Sequence, residues 1–321
     1  TDRAIKLTLT ATRADGGSIE RTVKIDRFDP DLKETEITEA GLAGILFEPS
    51  ESKGAVILLS GSNGGADRQH AALLARHGYT VLALAYFNYP GRPDFQSLMP
   101  LEYFRDAMDW LSARTGHAKV AVQGISRGAE AALLLAATYP ARVGAVVSIA
   151  PSHLRFGAFD GNSQFAPGWT LNEEPLPYAG TLEDAQRLLS GMPPPDASNP
   201  SPMRNQFLPV FNDPQVIERA AIEVENIVCP ILIVAGNDDQ LWPSEVASEH
   251  IENRLKANNH AAPYSIVLLD NAGHGIRHPG YPTTMSSRVF HPIMRAFMLL
   301  GGTSEGNAIA QKNAWEKTLA F

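Results

Sequence analysis

Residues 119–132 read KVAVQGISRGAEAA, and this stretch decides the fold expected of the chain. Residues 120–122 are apolar and two of the three are β-branched valines, which favours a strand, and the Ala- and Leu-rich run after residue 128 favours a helix. Between them, GISRG at 124–128 has the Gly-x-Ser-x-Gly pattern of a nucleophile elbow. In such a turn the two glycines avoid collisions with the neighbouring strand and helix, so the hydroxyl of Ser126 projects above the sheet. The stretch therefore predicts a nucleophilic serine at position 126.

Two later stretches contain the base and the orienting acid that a nucleophilic serine needs. The apolar run at 229–237 is typical of a buried parallel strand and leads into DDQLWP, in which Asp239 is the better acid candidate and Asp238 the alternative. The next apolar run, YSIVLL, predicts another buried strand, and the loop NAGHG after it contains His274, the predicted general base. Serine, acid and histidine follow one another in the order that this kind of site uses. The three residues together predict a Ser-His-Asp triad built on Ser126.

Three further histidines compete for the role of base. His278 lies beyond the tip of the loop that carries His274, and His291 falls in a stretch that we expect to be helical. His153 follows the predicted strand Val143–Ile149, and we interpret it as a structural histidine with its hydrogen bonds satisfied. His274 therefore remains the predicted base.

An oxyanion hole requires backbone N–H groups aimed at the developing negative charge. The residue after the nucleophile, Arg127, would supply one of them. The apolar run at 55–59 predicts a buried strand that leads into SGSNGG at 60–65, whose glycines let the backbone turn back. Ser62 or Asn63 would then supply the second N–H group. Phosphate binding is the lesser interpretation of this loop, because it has neither a GxGxxG pattern nor a Walker lysine.

Composition limits the functions that are open to the chain. Its 321 residues, of which 44% are hydrophobic and 19% charged, suffice for one large domain with a full core. The formal net charge of −8 disfavours nucleic acid and anionic membranes as partners, because both require a basic face. No apolar run is long enough to span a bilayer, and Cys229 lies within a predicted strand as a core residue. We expect a small-molecule substrate, no metal and no organic cofactor; the oligomeric state stays open.

Two features of the sequence bear on the cellular compartment. No secretory signal or transit peptide is visible, and the chain begins at Thr1 rather than Met. The missing signal and the single cysteine favour the cytoplasm, and the periplasm is the alternative if a signal preceded Thr1.

The order of the apolar runs predicts the domain organisation. Residues 1–30 alternate in hydrophobicity around a DGG turn, which predicts an N-terminal β-hairpin. From 31 to 321 strands alternate with helices such as 101–113, which predicts an α/β domain with a mostly parallel sheet and helices on both faces.

A proline-rich segment interrupts this alternation. Ten prolines lie from Pro167 through Pro214, both included, and disfavour long regular elements there. We interpret 154–214 as a cap inserted over the site, and the alternative is a surface insertion without a substrate role. Apolar side chains of this segment suggest an acyl pocket: Phe165, Trp169 and Phe207.

With these motifs in place, the chain resembles the acyl-CoA thioesterase and bile acid-CoA:amino acid N-acyltransferase family in its C-terminal α/β-hydrolase domain, and more distantly dienelactone hydrolases. The resemblance covers residues 39–321 approximately. It depends on SGSNGG, GYTVLALAYFNYPG, LEYFRDAMDWL, GISRGAE, VSIAPSH, CPILIVAGNDDQLWPSE and NAGHGIRHPGYP. It implies an α/β-hydrolase fold over 31–321 and places the family's nucleophile, acid and base on Ser126, Asp239 and His274.

Two departures from the family pattern bear on the activity. Amino-acid-conjugating members carry cysteine at the nucleophile position, whereas this chain has Ser126, which favours hydrolysis over transfer. The family's N-terminal β-sandwich would precede this domain, and only residues 1–26 resemble its final hairpin. We therefore expect a remnant of that domain at most.

The expected activity is acyl transfer to water through an acyl-enzyme on Ser126. An acyl-CoA thioester is the preferred substrate, and a carboxylic ester or a lactone is the alternative. An acyl-CoA:amino acid N-acyltransferase and a non-catalytic acyl-binding relative are the lesser alternatives. Three arginines could contact the phosphates of CoA, although solvated surface charges are the more common case: Arg68, Arg92 and Arg277.

Overall fold

The computed structural model describes residues 4–26, 32–161, 165–188, 202–283, 289–291 and 296–321. The strands are β1 (Ala4–Thr12), β2 (Ser18–Asp26), β3 (Lys33–Ile37), β4 (Gly44–Glu48), β5 (Gly54–Leu59), β6 (Tyr79–Leu84), β7 (Met99–Pro100), β8 (Val120–Ile125), β9 (Val143–Ile149), β10 (Ala158–Phe159), β11 (Phe165–Ala166), β12 (Trp169–Leu171), β13 (Glu174–Pro175), β14 (Ile231–Gly236), β15 (Tyr264–Leu269), β16 (Val289–His291) and β17 (Ala296–Met298). The helices are α1 (Arg68–Arg76), α2 (Leu101–Thr115), α3 (Arg127–Thr138), α4 (Leu182–Leu188), α5 (Arg204–Asn212), α6 (Pro214–Ala220), α7 (Ser244–Ala257) and α8 (Ser304–Ala320).

One sheet contains eight of these strands, in the order β15-β14-β9-β8-β5-β6-β4-β3. The strands from β15 to β6 pair in parallel. Strand β4 then pairs antiparallel with β6, and β3 pairs antiparallel with β4. Runs such as ILIVAG in β14 are apolar at every position because both faces of a parallel sheet are covered. The expected α/β-hydrolase fold with a mostly parallel sheet is confirmed.

The two faces of the sheet bury alternate residues of each strand. In β5, Ile57 and Leu59 pack in the core that α2, α3 and α7 cover, whereas Val56 and Leu58 pack with α1. Helix α8 closes the second face, where Ala310 lies in the same core as Val234 of β14. Since burying one such side chain is worth roughly 1.5–3 kcal/mol, the alternation requires helices on both faces.

Two expectations about local structure are wrong. The strand at 264–269 forms as expected but lies at the edge of the sheet, and Leu268 is 53% exposed, so this strand is not a buried one. His291 ends β16 instead of lying in a helix. The preceding Val289 and Phe290 are β-branched and aromatic, and such side chains pack better on a pleated strand than in a helix.

The N-terminal strands β1 and β2 form the expected hairpin, with Thr12 opposite Ser18 at the turn. Gly16 has a φ of 86°, a conformation that glycine adopts without strain. The apolar side chains Leu9 and Ile19 are exposed, and within the described residues these two strands pair only with each other. The expected domain boundary at residues 30 and 31 falls outside the described residues.

The proline-rich segment has more regular structure than its sequence suggests. Within 154–214, the described residues form four short strands and the helices α4 and α5, and Pro209 lies inside α5. This helix tolerates the missing N–H group because Phe207 and Phe211 on either side of Pro209 pack against Phe156 and Trp242. No helix in the described ranges has the length and apolar composition needed to cross a membrane.

The strands β5, β8, β14 and β15 run parallel, so their carboxyl ends lie at one edge of the sheet. The loop after each of these strands contains one of the sequence motifs for catalysis. In open α/β sheets this edge is where ligands bind. The topology alone therefore brings the four motifs together.

Candidate active site

Ser126 occupies the sharp turn between β8 and α3, with φ 57° and ψ −120°. A Cβ atom on Gly124 would come within 2.0 Å of the carbonyl oxygen of Gly128, and one on Gly128 within 2.5 Å of the carbonyl oxygen of Ser60. The close approach of these backbones therefore requires glycine at both positions. A positive φ at a serine is strained, and the surrounding strand and helix hold it there.

Asp239 and His274 are in direct contact. Nδ1 of His274 lies 2.8 Å from Oδ2 of Asp239, and both side chains are buried. The same carboxylate accepts hydrogen bonds from Ser244 Oγ at 2.7 Å and from the backbone N–H groups of Leu241 and Trp242. These donors fix the carboxylate, which in turn orients the imidazole through its Nδ1 edge.

The neighbouring acid candidate, Asp238, makes different contacts. It accepts hydrogen bonds from the N–H of Gly302 at 2.8 Å and from Nε2 of Gln240 at 2.5 Å. The structure therefore brings Asp239, and not Asp238, to the imidazole of His274.

Ser126 and His274 line one cavity of about 480 Å³. Nε2 of His274 is buried and has no hydrogen-bond partner among the described atoms, and the ring of Trp242 contacts the imidazole edge-on at 5.6 Å between centroids. We call this the histidine cavity; it is lined by Ser126, His274, Arg277, Tyr281 and Phe290, among others. Since Nδ1 is engaged by Asp239, Nε2 is the ring nitrogen that can exchange a proton within the cavity.

The predicted oxyanion residues surround the serine. Ser62 and Asn63 line the histidine cavity beside Ser126, and the adjacent Gly61 lies so close that a Cβ on it would be 3.3 Å from the Cβ of Ser126. Arg127 is the first residue of α3, so its N–H has no acceptor within the helix. The positive end of a helix macrodipole also lies at this point, which favours negative charge there.

A buried ion pair beside the nucleophile was not anticipated from the sequence. Glu130 is 0% exposed; it accepts hydrogen bonds from Arg127 Nη1 at 2.9 Å, from Trp169 Nε1 at 2.6 Å and from the N–H of Phe156 at 3.0 Å. Burial raises the pKa of the Glu130 carboxyl, and the Arg127 guanidinium opposes that effect. Arg and Glu spaced by three residues also form pairs on exposed helix faces, so the sequence contains no signal that this pair is buried.

Asn307 is a second buried polar residue without a sequence signal. Its Oδ1 accepts a hydrogen bond of 2.9 Å from the N–H of Gly273, and its Nδ2 donates one of 3.2 Å to the carbonyl of Gly301. These bonds connect α8 to the loop that precedes His274. The backbone N–H of His274 also donates to the carbonyl of Leu300 at 2.7 Å, so the loop is held from both sides.

A second cavity, of about 120 Å³, meets the histidine cavity at Ser126. We call it the aromatic cavity, because its wall includes Phe95, Phe156, Phe159, Phe165, Phe207 and Trp242. Of the three cap residues expected in an acyl pocket, Phe165 and Phe207 line this cavity and Trp169 does not. Trp169 is instead buried against Tyr86 and Phe104, because its indole N–H is bonded to Glu130.

The competing histidines take other positions. Nε2 of His153 lies 3.1 Å from the carbonyl oxygen of Phe211, and its ring stacks on His250 at 4.4 Å. Burial lowers the pKa of His153 to about 3, so this side chain is neutral. His278 packs edge-on against His70, 5.9 Å between ring centroids, and the side chain of His291 is not among those described.

The three arginines considered as contacts for the phosphates of CoA differ in their surroundings. Arg68 Nη2 is 2.7 Å from the Glu34 carboxylate, and the Arg92 guanidinium lies 3.8 Å from the centre of the Tyr103 ring. Arg277 lines the histidine cavity, although its Nη1 lies 3.5 Å from Asp67.

Comparisons with known proteins identify relatives of this chain. A family model described as "BAAT / Acyl-CoA thioester hydrolase C terminal" matches residues 99–321. Acyl-coenzyme A thioesterase 1 of Rattus norvegicus is 28% identical over 302 residues, which cover 91% of this chain and 65% of that protein. Peroxisomal succinyl-coenzyme A thioesterase of Mus musculus is 28% identical over 313 residues, covering 96% of this chain and 69% of that protein. The chain thus spans about 65% of the length of the first of these relatives.

Among solved structures, an α/β hydrolase from Penicillium sp. sh18 aligns with 99% of this chain and 100% of its own chain, at 18% identity and a TM-score of 0.48. The fold assignment depends on the strand order and on the serine turn between β8 and α3.

Proposed function

Since the chain belongs to the BAAT / acyl-CoA thioester hydrolase C-terminal family, we propose that it is a serine hydrolase that cleaves acyl-CoA thioesters. The family resemblance of the sequence is confirmed by the match over 99–321. One observation above all supports the proposal. The contact of 2.8 Å between His274 and Asp239 leaves Nε2 of the imidazole unpaired and buried at the cavity that Ser126 lines.

The proposed reaction begins with attack of Ser126 Oγ on the thioester carbonyl carbon. Nε2 of His274 takes the hydroxyl proton as the new C–O bond forms, and Asp239 stabilises the resulting imidazolium. When the tetrahedral intermediate collapses, the C–S bond breaks and the imidazolium returns the proton to the departing sulfur. The products of this half-reaction are a free thiol and an ester between the acyl group and Ser126.

Water completes the cycle by the same route. His274 removes a proton from water as the water oxygen attacks the ester carbonyl, and it returns the proton to Ser126 Oγ as the C–O bond breaks. The carboxylic acid leaves and the serine hydroxyl is restored. We assign the oxyanion donors in both steps to the N–H of Arg127 and that of Ser62 or Asn63, each worth about 3 kcal/mol in the transition state.

The test is release of free CoA thiol from acyl-CoAs by wild type and by Ser126→Ala. The variant is expected to retain less than about 1% of the wild-type rate, because the other side chains of the triad cannot form the acyl-enzyme. Ser112→Ala, on the outer helix α2, is the matched control and should be as active as wild type. Equal activity of Ser126→Ala and Ser112→Ala would exclude the proposed nucleophile.

Parallel assays separate the proposal from its alternatives. Matched p-nitrophenyl esters and lactones test for an esterase, and acyl-CoA with glycine or taurine tests for amino-acid acylation. The acyl-enzyme on Ser126 is an oxygen ester, which amines intercept less readily than a thioester, so free acid is the expected product. Turnover of esters with none of acyl-CoA would support the esterase alternative, and an N-acyl amino acid as product would support transfer.

A further inference from the structure

The two cavities that meet at Ser126 differ in the catalytic groups that reach them. His274 lines the histidine cavity and is not among the described residues that line the aromatic cavity. Among the described residues, four line both cavities and mark their junction: Ser62, Ser126, Leu241 and Met298. A carbonyl carbon bound at Ser126 therefore has one open direction past the histidine and another past the aromatic rings.

The chemistry decides which half of a substrate takes which direction. The departing atom must receive a proton from the imidazole, so it has to lie on the His274 side of the carbonyl carbon. The acyl chain, which takes no part in proton transfer, then extends the other way. Accepting the function proposed above, we infer that the aromatic cavity binds the acyl chain and that the histidine cavity binds the leaving group.

The volumes of the two cavities set the class of substrate. The aromatic cavity has about 120 Å³, whereas an apolar cavity of roughly 150 Å³ holds one benzene molecule in another protein. It therefore accommodates an acyl chain of about four or five carbons beyond the carbonyl. The histidine cavity, at about 480 Å³, suits a much larger leaving group.

Two rings on the described wall of the aromatic cavity are partly exposed. Phe159 and Phe165, whose rings pack edge-on at 5.3 Å, are 40% and 37% exposed. A longer chain would pass these rings and return to water, where additional methylenes gain no burial. Binding is therefore expected to level off with chain length.

The charges around the aromatic cavity favour an uncharged chain. Arg127 is the one charged side chain among the described residues that line it. Its guanidinium is bonded to Glu130 and, through Nη2 at 2.8 Å, to the carbonyl of Phe156. A carboxylate on an acyl chain short enough to end inside the cavity, such as a succinyl group, would be buried without a counter-ion of its own, which is costly. Short, uncharged acyl groups are therefore the class of substrate expected at this site.

The first experiment measures kcat/KM for acetyl, butanoyl, hexanoyl, decanoyl and hexadecanoyl groups, each as the CoA thioester and as the p-nitrophenyl ester. We expect kcat/KM to rise by up to about fourfold per methylene as far as hexanoyl, and then to level off or fall. The same acyl profile is expected with both leaving groups. Succinyl-CoA, which has four carbons and a terminal carboxylate, should be at least tenfold poorer than butanoyl-CoA.

Two phenylalanine variants test the direction of binding. Phe207→Ala enlarges the aromatic cavity and should move the plateau to chains at least two carbons longer. Phe290→Ala, on the wall of the histidine cavity, should leave the acyl profile in place and change KM for CoA thioesters more than for p-nitrophenyl esters. Since Phe207 packs against Phe156 and Trp242, Phe207→Leu is measured as well, and it should produce a smaller shift in the same direction.

The outcomes separate this inference from the proposed function. Rates that climb to hexadecanoyl, succinyl-CoA cleaved as fast as butanoyl-CoA, or a profile that shifts with Phe290→Ala instead of Phe207→Ala would each overturn the assignment while hydrolysis itself stands. Absence of any turnover that depends on Ser126 would overturn both.

Discussion

Trp169 Nε1 donates a hydrogen bond of 2.6 Å to Oε1 of Glu130, which connects the proline-rich segment to the helix that begins beside the nucleophile. The Arg127 guanidinium completes the connection, since it bonds Glu130 and lies 4.8 Å from the centre of the Trp169 ring. Phe156, which lines the aromatic cavity, donates its N–H to the same carboxylate. One buried carboxylate therefore holds the wall of the cavity against the serine turn.

Glu130→Gln is expected to lower the free energy of unfolding by about 3–5 kcal/mol, because it leaves the Arg127 guanidinium buried without its counter-charge. Trp169→Phe removes one hydrogen bond to that carboxylate and should cost about 1.5–3 kcal/mol. Urea unfolding of both variants and wild type gives these values. Losses below about 1 kcal/mol in both would show that this ion pair contributes little to stability.

Asp239→Asn is expected to lower kcat by about 10⁴-fold, because an amide at this position no longer holds the imidazole in the right tautomer. Asp238→Asn is the matched control, one residue away on the same loop, and should lose far less because its contacts are to Gly302 and Gln240. Steady-state kinetics on one acyl-CoA compare the two. An inactive Asp238→Asn with an active Asp239→Asn would reverse the assignment of the acid.

Gly128→Ala is expected to abolish activity and to destabilise the protein by about 1–3 kcal/mol or more, because its Cβ would lie 2.5 Å from the carbonyl oxygen of Ser60. Gly54→Ala is the control, since a Cβ there would meet nothing closer than 3.5 Å. Thermal unfolding and the rate of CoA release are measured for both. A fully active and equally stable Gly128→Ala would be incompatible with the close packing of this turn.

His153 is expected to make the free energy of unfolding depend on pH. Burial lowers its pKa to about 3 in the folded protein, whereas an unfolded histidine has a pKa of about 6.5. Between these values the unfolded chain binds more protons, so stability rises with pH across this window and is lost as pH falls below about 6.5. The slope contributed is up to about 1.4 kcal/mol per pH unit.

His153→Gln, which keeps a polar group near the carbonyl of Phe211, should flatten this slope in urea unfolding measured from pH 4 to pH 7. His117→Gln, on the loop after α2, is the control and should leave the slope as in wild type. Identical slopes in wild type and His153→Gln would contradict a neutral, buried histidine at this position.

The sequence alone determined the features that depend on local physics. The apolar runs 231–236 and 143–149 predict strands because only full burial on both faces accommodates such composition. The glycines around Ser126 predict the turn because a side chain at either position has no space. Since parallel strands end at one edge of the sheet, the order of the motifs also predicts that Ser126, Asp239 and His274 share a site.

Only the tertiary structure decided the features that depend on which side chains meet across long separations. Asp238 and Asp239 follow the same strand, and the packing of the loop after β15 determines which of them meets His274. Glu130 is buried because Trp169, 39 residues later in the chain, donates to it. The sequence pattern of a helix indicates which face is apolar. It does not indicate which distant residue pairs with a buried charge and makes its burial tolerable, because the packing of the whole chain places that residue.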